Sequence, residues 1–543
     1  MDSGANLYLT GFMGSGKSTV GRLVAERLGR PFVDLDLEIE ARAGRPVERI
    51  FQEEGEEGFR RLEQQALREV ASRPAQVVAT GGGIVERPEG RELLARSGEV
   101  VWLFCPVEQA VSRALNGGPV RPLLAGDEGR PLDRARALWK RRQWLYACAP
   151  IWVDARPEAA SQVADRVLEA LEWYRIAPTA AWVLGPGHAY PLVVGRNLIE
   201  RLGAMVEHLA RRRGLGGSAL VIADRAVQAV AERIGGTLSA SGWRVGYAPV
   251  GPGEAAKSLE TLASAWEQAK AAGLDRSGLV IGVGGGAALD LAGFTAATYM
   301  RGVAWISVPT TLLAQVDAAI GGKTAVNIPS AKNLVGAFHH PLAVVADVDV
   351  LSTLPRREVA SGMAEVVKHA LVGDPSLLEL VDGTGEALPD VVLVARAAKV
   401  KALVVSEDPN ETGRRAVLNF GHTVGHALEV AGNFERYLHG EAVAIGMVTA
   451  TMLSERVGVL QEPGLVERLI QLLRRIGLPS AAGPEAPDAD LLWNLMDADK
   501  KKQAGLRRWV LLERPGEPVV ASGTVTPERF ARVWQEQNGA GPA

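Results

Sequence analysis

The chain has 543 residues, of which 47% are hydrophobic and 23% charged, a composition ordinary for a folded protein with large cores. At about 100–200 residues per domain, this length predicts roughly three or four domains. The 60 basic and 63 acidic residues nearly cancel, so the charge excludes a global field that would attract nucleic acid or an anionic membrane.

The cysteines and the absence of targeting patterns indicate the cytoplasm. Cys105 and Cys148 cannot form a disulfide framework, and their apolar flanks predict buried, unreactive thiols. No apolar run approaches the roughly 18–20 residues of a membrane span, and the first residues lack a signal-peptide pattern. We therefore expect a cytoplasmic protein that does not bind membranes.

A phosphate-binding loop opens the chain. Residues 7–10 form a short strand-like run, and residues 11–18 match G-x-x-x-x-G-K-[ST] at every fixed position. An apolar stripe on residues 20–28 then predicts a helix that Gly29 ends. In such a loop the backbone N–H groups meet phosphate, Lys17 reaches the terminal phosphates and Ser18 binds Mg²⁺. The nucleotide-binding candidates are Gly14, Gly16, Lys17, Ser18 and Thr19.

Three further features of this region suit a phosphoryl acceptor. Asp34 and Asp36 follow a second apolar run, where they could hold Mg²⁺ and orient a hydroxyl group. Arg60 lies in a charged helical stretch. Gly81, Gly82 and Gly83 follow the apolar run 77–79 and leave backbone N–H groups free for an anion. Taken singly, these residues could also be surface carboxylates, a solvated arginine and a flexible turn.

Together with the phosphate-binding loop, these features resemble shikimate kinase from residue 5 to about 174. The resemblance implies phosphorylation of shikimate by Mg²⁺-ATP on a P-loop fold with a parallel sheet. It assigns Mg²⁺ to Ser18 and Asp34, and the acceptor hydroxyl to Asp36, which would also act as the base. It assigns the shikimate carboxylate to Arg60 and Arg142, the ring to Gly81, Gly82 and Gly83, and charge stabilisation to Lys17 and the lid residue Arg121.

The clearest boundary lies between residues 157 and 192, where Pro178 and residues 186–191 interrupt the periodic patterns. It predicts a first domain over residues 1–174. Alternating short apolar runs and amphipathic segments then predict an α/β domain over 182–350. Longer helical periodicity predicts a mostly α-helical domain over 351–536.

Two glycine-rich segments of the α/β region invite a nucleotide interpretation. The apolar run 280–283 leads into Gly284, Gly285 and Gly286, which loosely match a Rossmann fingerprint, although a tight strand–helix turn is an equally simple explanation. Residues 321–324 resemble the end of a second phosphate-binding loop. Position 317 is Asp317 and not glycine, so we exclude that interpretation.

Metal-ligand residues appear in the helical region. Glu365 and Lys368 share one helix face, as do His422 and His426, and His439 follows. Mixed nitrogen and oxygen ligands suit Zn²⁺. Spacing alone favours His422 and His426 as the pair of histidine ligands. A surface Glu–Lys pair and helix-capping histidines are the alternatives.

Eight segments in order resemble 3-dehydroquinate synthase from about residue 182 to 535: residues 284–290, 299–302, 309–313, 317, 321–324, 332–333, 361–365 and 418–422. The resemblance implies a Rossmann-like NAD-binding α/β domain, a helical metal-binding domain and an active site in the cleft between them. It assigns Zn²⁺ or Co²⁺ to Glu365, His422 and His439, leaving His426 for substrate binding or proton transfer. The implied reaction converts 3-deoxy-arabino-heptulosonate 7-phosphate to 3-dehydroquinate and phosphate.

The same resemblance assigns the remaining polar residues. NAD would contact Asp224, Glu254, Lys257, Gly284, Gly285, Gly286, Asp290, Thr310, Thr311, Asp317, Lys323 and Lys332. Catalysis and binding of the anionic substrate would use Arg301, Lys323, Asn333, Lys368, Lys401, Arg415, Asn419, His426 and Lys501. Synthases of this family are usually homodimers. A single NAD/metal enzyme, synthase or polyol dehydrogenase, with a regulatory nucleotide-binding module is the alternative to a bifunctional fusion.

Overall fold

The computed structural model describes residues 4–116, 130–156, 159–177, 179–329, 331–384, 387–411, 413–500 and 508–539, without the side chains of 497–500. Arg121 and Lys501, two of the predicted site residues, lie outside the described residues. The chain divides into two compact units, Met1–Ala189 and Tyr190–Ala543. The division falls within the boundary region that the sequence indicates.

The first unit is an α/β fold around a parallel sheet. Its strands are β1 (Asn6–Thr10), β2 (Phe32–Asp34), β3 (Val77–Ala79), β4 (Gly98–Phe104) and β5 (Ile151–Asp154), with β6 (Ala181–Gly185) near its end. The sheet order is β2-β3-β1-β4-β5, and its strand pairs are parallel. The helices are α1 (Lys17–Leu28), α2 (Leu35–Ala43), α3 (Val47–Ser72), α4 (Pro88–Ser97), α5 (Val107–Asn116), α6 (Pro131–Tyr146) and α7 (Ala160–Ile176).

Local sequence explains the first βα unit. The residues of β1 are all buried, and α1 buries Val20, Gly21, Val24 and Ala25 on one face. Gly29 ends α1 in the left-handed conformation, where its N–H is hydrogen-bonded to the carbonyl oxygens of Ala25 and Glu26. Because β1, β2 and β3 run parallel, their carboxyl ends lie along one edge of the sheet, where the phosphate-binding loop also begins.

A larger sheet organises the second unit. Its strands are β7 (His188–Gly195), β8 (Ser218–Asp224), β9 (Arg244–Val250), β10 (Leu279–Gly284), β11 (Ala304–Pro309) and β14 (Val344–Asp347). From β7 onward the described strands have the order β7-β14-β11-β10-β8-β9, and these pairs are parallel. The chain direction across the sheet reverses between β8 and β10, which makes that point a topological switch point. Helices α8 (Leu198–Arg213), α9 (Gln228–Ala240), α10 (Leu259–Ala271) and α11 (Gly286–Thr298) connect these strands.

The C-terminal part of this unit is largely helical. Its helices are α12 (Arg356–Val372), α13 (Leu377–Thr384), α14 (Val391–Glu407), α15 (His422–Ala431), α16 (His439–Arg456), α17 (Leu465–Arg475), α18 (Ala489–Lys500) and α19 (Pro527–Gln537). One hairpin, β15 (Arg508–Arg514) with β16 (Glu517–Ser522), accompanies these helices, whereas another, β12 (Lys323–Ile328) with β13 (Ala331–Phe338), lies between β11 and β14 in the chain. The predicted fold class, a P-loop fold followed by an NAD-type α/β fold and a mostly helical part, is confirmed.

One expectation about the thiols was wrong. Cys105 is buried at the end of β4, and burial raises the pKa of its thiol to about 11. Cys148 is exposed, because it stands just after α6 in the turn that leads to β5. Among the helices that the structure describes, none is long and apolar enough to span a membrane.

Candidate active sites

The loop between β1 and α1 has phosphate-binding geometry. Gly14 adopts φ +76°, and a Cβ atom there would lie 2.1 Å from the Ala110 carbonyl oxygen, so only glycine fits. Lys17 Nζ donates to the carbonyl oxygens of Gly11 (2.8 Å) and Phe12 (3.0 Å). Gly16, in the left-handed conformation, directly precedes α1, whose first turn carries Ser18 and Thr19. The lysine, the hydroxyl groups and the N-terminus of a 12-residue helix therefore occur together, which suits a nucleotide phosphate.

Three consecutive glycines join the phosphate-binding loop to the acceptor candidates. A Cβ atom on Gly82 would lie 3.6 Å from the Gly11 carbonyl oxygen, so this residue borders the loop. One on Gly81 would lie 3.2 Å from Asp36 Oδ1 and against the Glu63 carboxylate, and one on Gly83 would overlap the Arg60 guanidinium. Asp34 caps α2 by accepting the Asp36 N–H at 3.2 Å. The structure thus places Asp34, Asp36, Arg60 and the loop around one segment.

Buried ion pairs hold the two arginines of this site. Arg60 donates to Glu63 at 2.7 Å and to Glu56 at 3.1 Å, and Arg142 donates to Glu86 at 2.7 Å. Burial opposes ionisation, but the hydrogen bond from Arg142 and its positive charge lower the pKa of Glu86. Burial raises the pKa of Glu63 despite Arg60. Arg60 and Arg142 are therefore buried cations, and each has a carboxylate partner.

In the second unit, polar residues gather at the switch point of the sheet. Gly284 ends β10 with φ +150°, and a Cβ atom there would lie 2.7 Å from Ala288 Cβ and 3.4 Å from Asp224 Cβ. The Thr310 N–H donates to the Gly284 carbonyl oxygen at 2.9 Å. Cβ atoms on Gly285 and Gly286 would contact Thr311 and Ala318. The glycines, Asp224, Thr310 and Thr311 thus line the carboxyl ends of three neighbouring strands, the usual place for a dinucleotide.

A second polar group borders α11. Lys257 is buried and donates to Asp290 at 2.6 Å and to Asn333, whose backbone is left-handed (φ +57°). Nearby, Asn327 donates to Glu254 at 2.7 Å and accepts the Asn333 N–H at 3.0 Å. Burial raises the pKa of Asp290 although Lys257 opposes the shift. Three predicted NAD contacts and one predicted substrate contact therefore share a network.

Asp317 lies at the centre of a cluster of basic side chains formed by Lys368, His369 and Lys401. It lies in a short π-helical turn, Ala314–Ala318, and such turns are frequent at functional sites. Its Oδ1 atom is 2.8 Å from Lys401 Nζ, 3.5 Å from Lys368 Nζ and 3.5 Å from His369 Nε2. Burial opposes the effect, but the two lysines hold the pKa of Asp317 well below its usual value. Burial lowers the pKa of Lys401, whereas Asp317 and Glu365 raise that of Lys368 against the effect of burial.

Three side chains from three helices form a metal-ligand constellation. Glu365 on α12 is fully buried, and its Oε1 atom lies 3.5 Å from His422 Nε2 on α15 and 3.6 Å from His439 Nε2 on α16. This oxygen makes no hydrogen bond within the described part of the chain. One ligand atom from each residue lies within 4.8 Å of the others. Two imidazoles that face a carboxylate oxygen without a hydrogen-bond partner fit a divalent cation such as Zn²⁺.

Outer contacts orient the two imidazoles. His422 Nδ1 is 3.2 Å from the Phe420 carbonyl oxygen, and His439 Nδ1 is 3.2 Å from Glu429 Oε1. These contacts leave Nε2 of each ring facing Glu365, the usual arrangement of metal-binding histidines. His426 is exposed, and its ring centroid is 5.3 Å from that of His422. His426, Glu429 and His439 form a second group with metal-ligand spacing, so local spacing alone does not separate the two histidine assignments.

The remaining predicted residues occupy varied positions. Arg415 is buried next to Gly321, where a Cβ atom would lie 2.7 Å from its guanidinium. Lys332 Nζ lies 3.5 Å from the ring centroid of Phe434, and exposed Lys323 pairs with Glu411. Arg301 and Asn419 are exposed, and Arg301 has φ +69°.

Several partners of these residues are not among the predicted site residues. In the first unit they are Glu63 and Glu86, and in the second they are His369 and Glu429. A charged residue three positions from Arg60 was the available signal for Glu63. His369 meets Asp317 and Glu429 meets His439 across separate elements, so no local pattern identifies His369 or Glu429.

The fold and these constellations define an NAD- and metal-type α/β enzyme preceded by a P-loop kinase. Family models match in the same order: shikimate kinase over residues 13–172, the 3-dehydroquinate synthase N-terminal domain over 247–361 and its C-terminal domain over 362–502. The 3-dehydroquinate synthase of Symbiobacterium thermophilum is 47% identical over 347 residues, which cover 62% of this chain and 95% of that protein. The chain therefore belongs to the 3-dehydroquinate synthase family, with a shikimate kinase domain fused ahead of the synthase.

Two solved structures are similar to the separate parts. The 2-epi-5-epi-valiolone synthase of Streptomyces hygroscopicus, with NAD⁺ and Zn²⁺ bound, is 26% identical with a TM-score of 0.58, covering 65% of this chain and 98% of that one. The shikimate kinase of Acinetobacter baumannii, in complex with shikimate, is 42% identical with a TM-score of 0.30, covering 31% of this chain and 93% of that one. The family models confirm the predicted resemblance to both families.

Proposed function

We propose that the first unit transfers the terminal phosphoryl group of ATP to a hydroxyl group of shikimate. The observation that carries this proposal is the contact of Gly81, Gly82 and Gly83 with, respectively, Asp36, the phosphate-binding loop and Arg60. An acceptor beside this segment lies next to a base, the nucleotide phosphates and a cation that binds its carboxylate. Such positioning supplies most of the catalysis in phosphoryl transfer.

Each residue of this site has a defined proposed role. Lys17 binds the transferred phosphate, and Ser18 and Asp34 hold Mg²⁺, which neutralises charge on the phosphates when bound. Asp36 accepts the proton of the acceptor hydroxyl. Arg60 and Arg142 bind the shikimate carboxylate through charge-assisted hydrogen bonds. Arg121, outside the described residues, completes the proposal as a lid residue.

For the second unit we infer conversion of 3-deoxy-arabino-heptulosonate 7-phosphate to 3-dehydroquinate and phosphate. Glu365, His422 and His439 would hold Zn²⁺ or Co²⁺, because a buried unsatisfied carboxylate oxygen faces two Nε2 atoms. NAD⁺ would lie along Gly284, Gly285 and Gly286, where added Cβ atoms would crowd Ala288, Thr311 and Ala318, near Asp224 and Thr310. When bound, NAD⁺ supplies transient oxidation of a substrate alcohol, and the divalent cation polarises that oxygen.

The chain's own cations suit a substrate that carries both a phosphate and a carboxylate. Lys368 and Lys401 face Asp317 in the interior, so they bind anions in a partly desolvated site where charge pairing is strong. Arg301, Lys323, Asn333, Arg415 and Asn419 complete the proposed substrate set. His426, exposed beside His422, would move a proton to or from bound substrate.

Two assays on the full-length protein test these proposals separately. Phosphorylation of shikimate is expected, and intact ATP binding without turnover would instead favour a regulatory nucleotide-binding module. Release of phosphate from the heptulosonate without net NADH is expected for a synthase. Accumulation of NADH would contradict this and indicate a polyol dehydrogenase.

We also propose that each chain has three domains, over residues 1–174, 182–350 and 351–536. We propose further that the protein is cytoplasmic and forms a homodimer through the synthase region. Support for assembly comes from β13, which exposes Leu334 (64%) and Phe338 (59%) on an otherwise short hairpin. Exposed apolar groups of this kind favour a partner surface. Sedimentation of the wild type and of Leu334→Lys tests this: the variant is expected to be monomeric, and an unchanged mass would contradict the proposed surface.

A further inference from the structure

Glu86 connects three arginines of the kinase site. It ends the 3₁₀ turn Ile84–Glu86, directly after the three glycines. Its Oε2 atom accepts from Arg142 at 2.7 Å and lies 3.5 Å from Arg60 Nη2. Its Oε1 atom accepts from Arg141 at 2.8 Å. One carboxylate oxygen therefore contacts both arginines proposed to bind substrate, while the other contacts a third arginine.

Arg60 and Arg142 are almost fully buried, whereas Glu86 is partly exposed and Arg141 is exposed. The side chain of Arg142 is 2% exposed and that of Arg60 is 7% exposed, whereas Glu86 is 18% and Arg141 is 69% exposed. Within the described residues, the carboxylate that pairs with Arg142 is Glu86, whereas Arg60 has two further carboxylate partners, Glu63 and Glu56. Glu86 therefore occupies Nη2 of Arg142, and an incoming carboxylate that binds this atom must displace Glu86.

We propose that Glu86 is a built-in competitor that occupies the place of the substrate carboxylate until shikimate displaces it. This inference rests on the proposed kinase function. On displacement, the Oε2 contacts with Arg142 and Arg60 pass to the substrate, while Oε1 keeps its contact with exposed Arg141. Before binding, Glu86 satisfies the buried guanidinium group of Arg142, which would otherwise be costly to leave unpaired. The consequence is weaker binding of shikimate.

The test uses the full-length chain and measures the Kd and KM for shikimate together with kcat. Glu86→Gln keeps the side-chain size but replaces the ion pair with Arg142 by a weaker hydrogen bond from the charged guanidinium to a neutral amide oxygen. We expect a roughly fivefold lower Kd for shikimate, with unchanged kcat and unchanged KM for ATP. A structural defect would instead raise the Kd, so a higher Kd in Glu86→Gln overturns the inference.

A second variant keeps the test valid if Glu86→Gln folds poorly. Arg141 is 69% exposed, so Arg141→Ala should fold normally. It removes the partner that retains Glu86 after displacement, and we expect the KM for shikimate to rise about threefold. In the Glu86→Gln background the same substitution should have no effect, because the displaced glutamine side chain carries no charge for Arg141 to hold. An equal effect in both backgrounds overturns the inference.

Glu57→Gln is the matched control. Glu57 is an exposed glutamate that pairs with Arg87 at 2.5 Å, so the variant makes the same charge change outside the site. It should leave the Kd for shikimate unchanged. If wild-type protein neither binds nor phosphorylates shikimate, the proposed function fails and this inference fails with it. If wild-type protein is active and the variants behave otherwise than expected, only the role of Glu86 is refuted.

Discussion

Replacing Asp317 with asparagine should destabilise the second unit strongly. One carboxylate there pairs with Lys401 at 2.8 Å and with Lys368 at 3.5 Å, and both lysines are buried. Removing one partner of a buried ion pair costs about 3–5 kcal/mol, because the remaining charge is left uncompensated. Lys368 keeps Glu365 as a partner, so the loss falls mainly on Lys401, and we expect the lower end, about 3 kcal/mol.

Thermal unfolding of the full-length variant, followed by circular dichroism, measures this effect. At roughly 2 °C per kcal/mol for a large domain, the melting temperature should fall by about 6 °C. The loss should shrink as the pH rises, because Lys401, whose pKa burial already lowers, can shed its proton. Glu411→Gln, which breaks the exposed pair with Lys323, is the control and should cost at most about 1 kcal/mol. Equal melting temperatures for the two variants would refute the reasoning.

Three other substitutions and one pH dependence give distinct outcomes. Lys17→Ala should reduce shikimate phosphorylation by at least about 10³-fold, since it removes a phosphate contact, and leave phosphate release from the heptulosonate intact; loss of both would contradict separate sites. Gly14→Ala should raise the KM for ATP at least about tenfold, because a Cβ atom would meet the Ala110 carbonyl oxygen, whereas Gly29→Ala, also at positive φ but with open space, should not. His422→Ala should remove the bound metal, and wild-type stoichiometry by atomic emission would contradict the ligand assignment. In the wild type, burial is outweighed by Glu365 and Glu429, which raise the pKa of His439 to about 10. Because a metal ligand must be deprotonated, metal affinity measured by chelator competition should increase with pH, by up to about tenfold per pH unit. An affinity that does not change with pH would argue against His439 as a ligand.

The phosphate-binding loop was predictable because all its chemistry lies within eight adjacent positions. The metal constellation was not, since Glu365, His422 and His439 lie on three different helices. Spacing favoured His422 with His426, because a helical turn is the only distance that local sequence encodes. The resemblance to a known family supplied His439, and the structure brings it to Glu365.

The C-terminal hairpin shows a signal that was available and overlooked. Residues 508–522 contain two runs rich in β-branched and apolar side chains around a Pro-Gly turn, yet the region was predicted to be mostly helical. The carboxylate partners Glu86 and Glu429 carried no such signal. Glutamates on exposed helical patterns are usually solvated, and only tertiary packing selects the few that meet a buried cation.

The segment of Gly81, Gly82 and Gly83 also has a consequence for natural variation. Positive φ angles do not constrain these glycines, so the space beside each one decides what can replace it. At Gly82 the nearest atoms would be 3.6 Å away and a methyl group fits, whereas at Gly81 and Gly83 it would collide with Glu63 and Arg60. Alanine should therefore be tolerated at position 82 but not at the adjacent positions 81 and 83. Compensating changes for the outer two positions should arise on α3, which carries both colliding side chains.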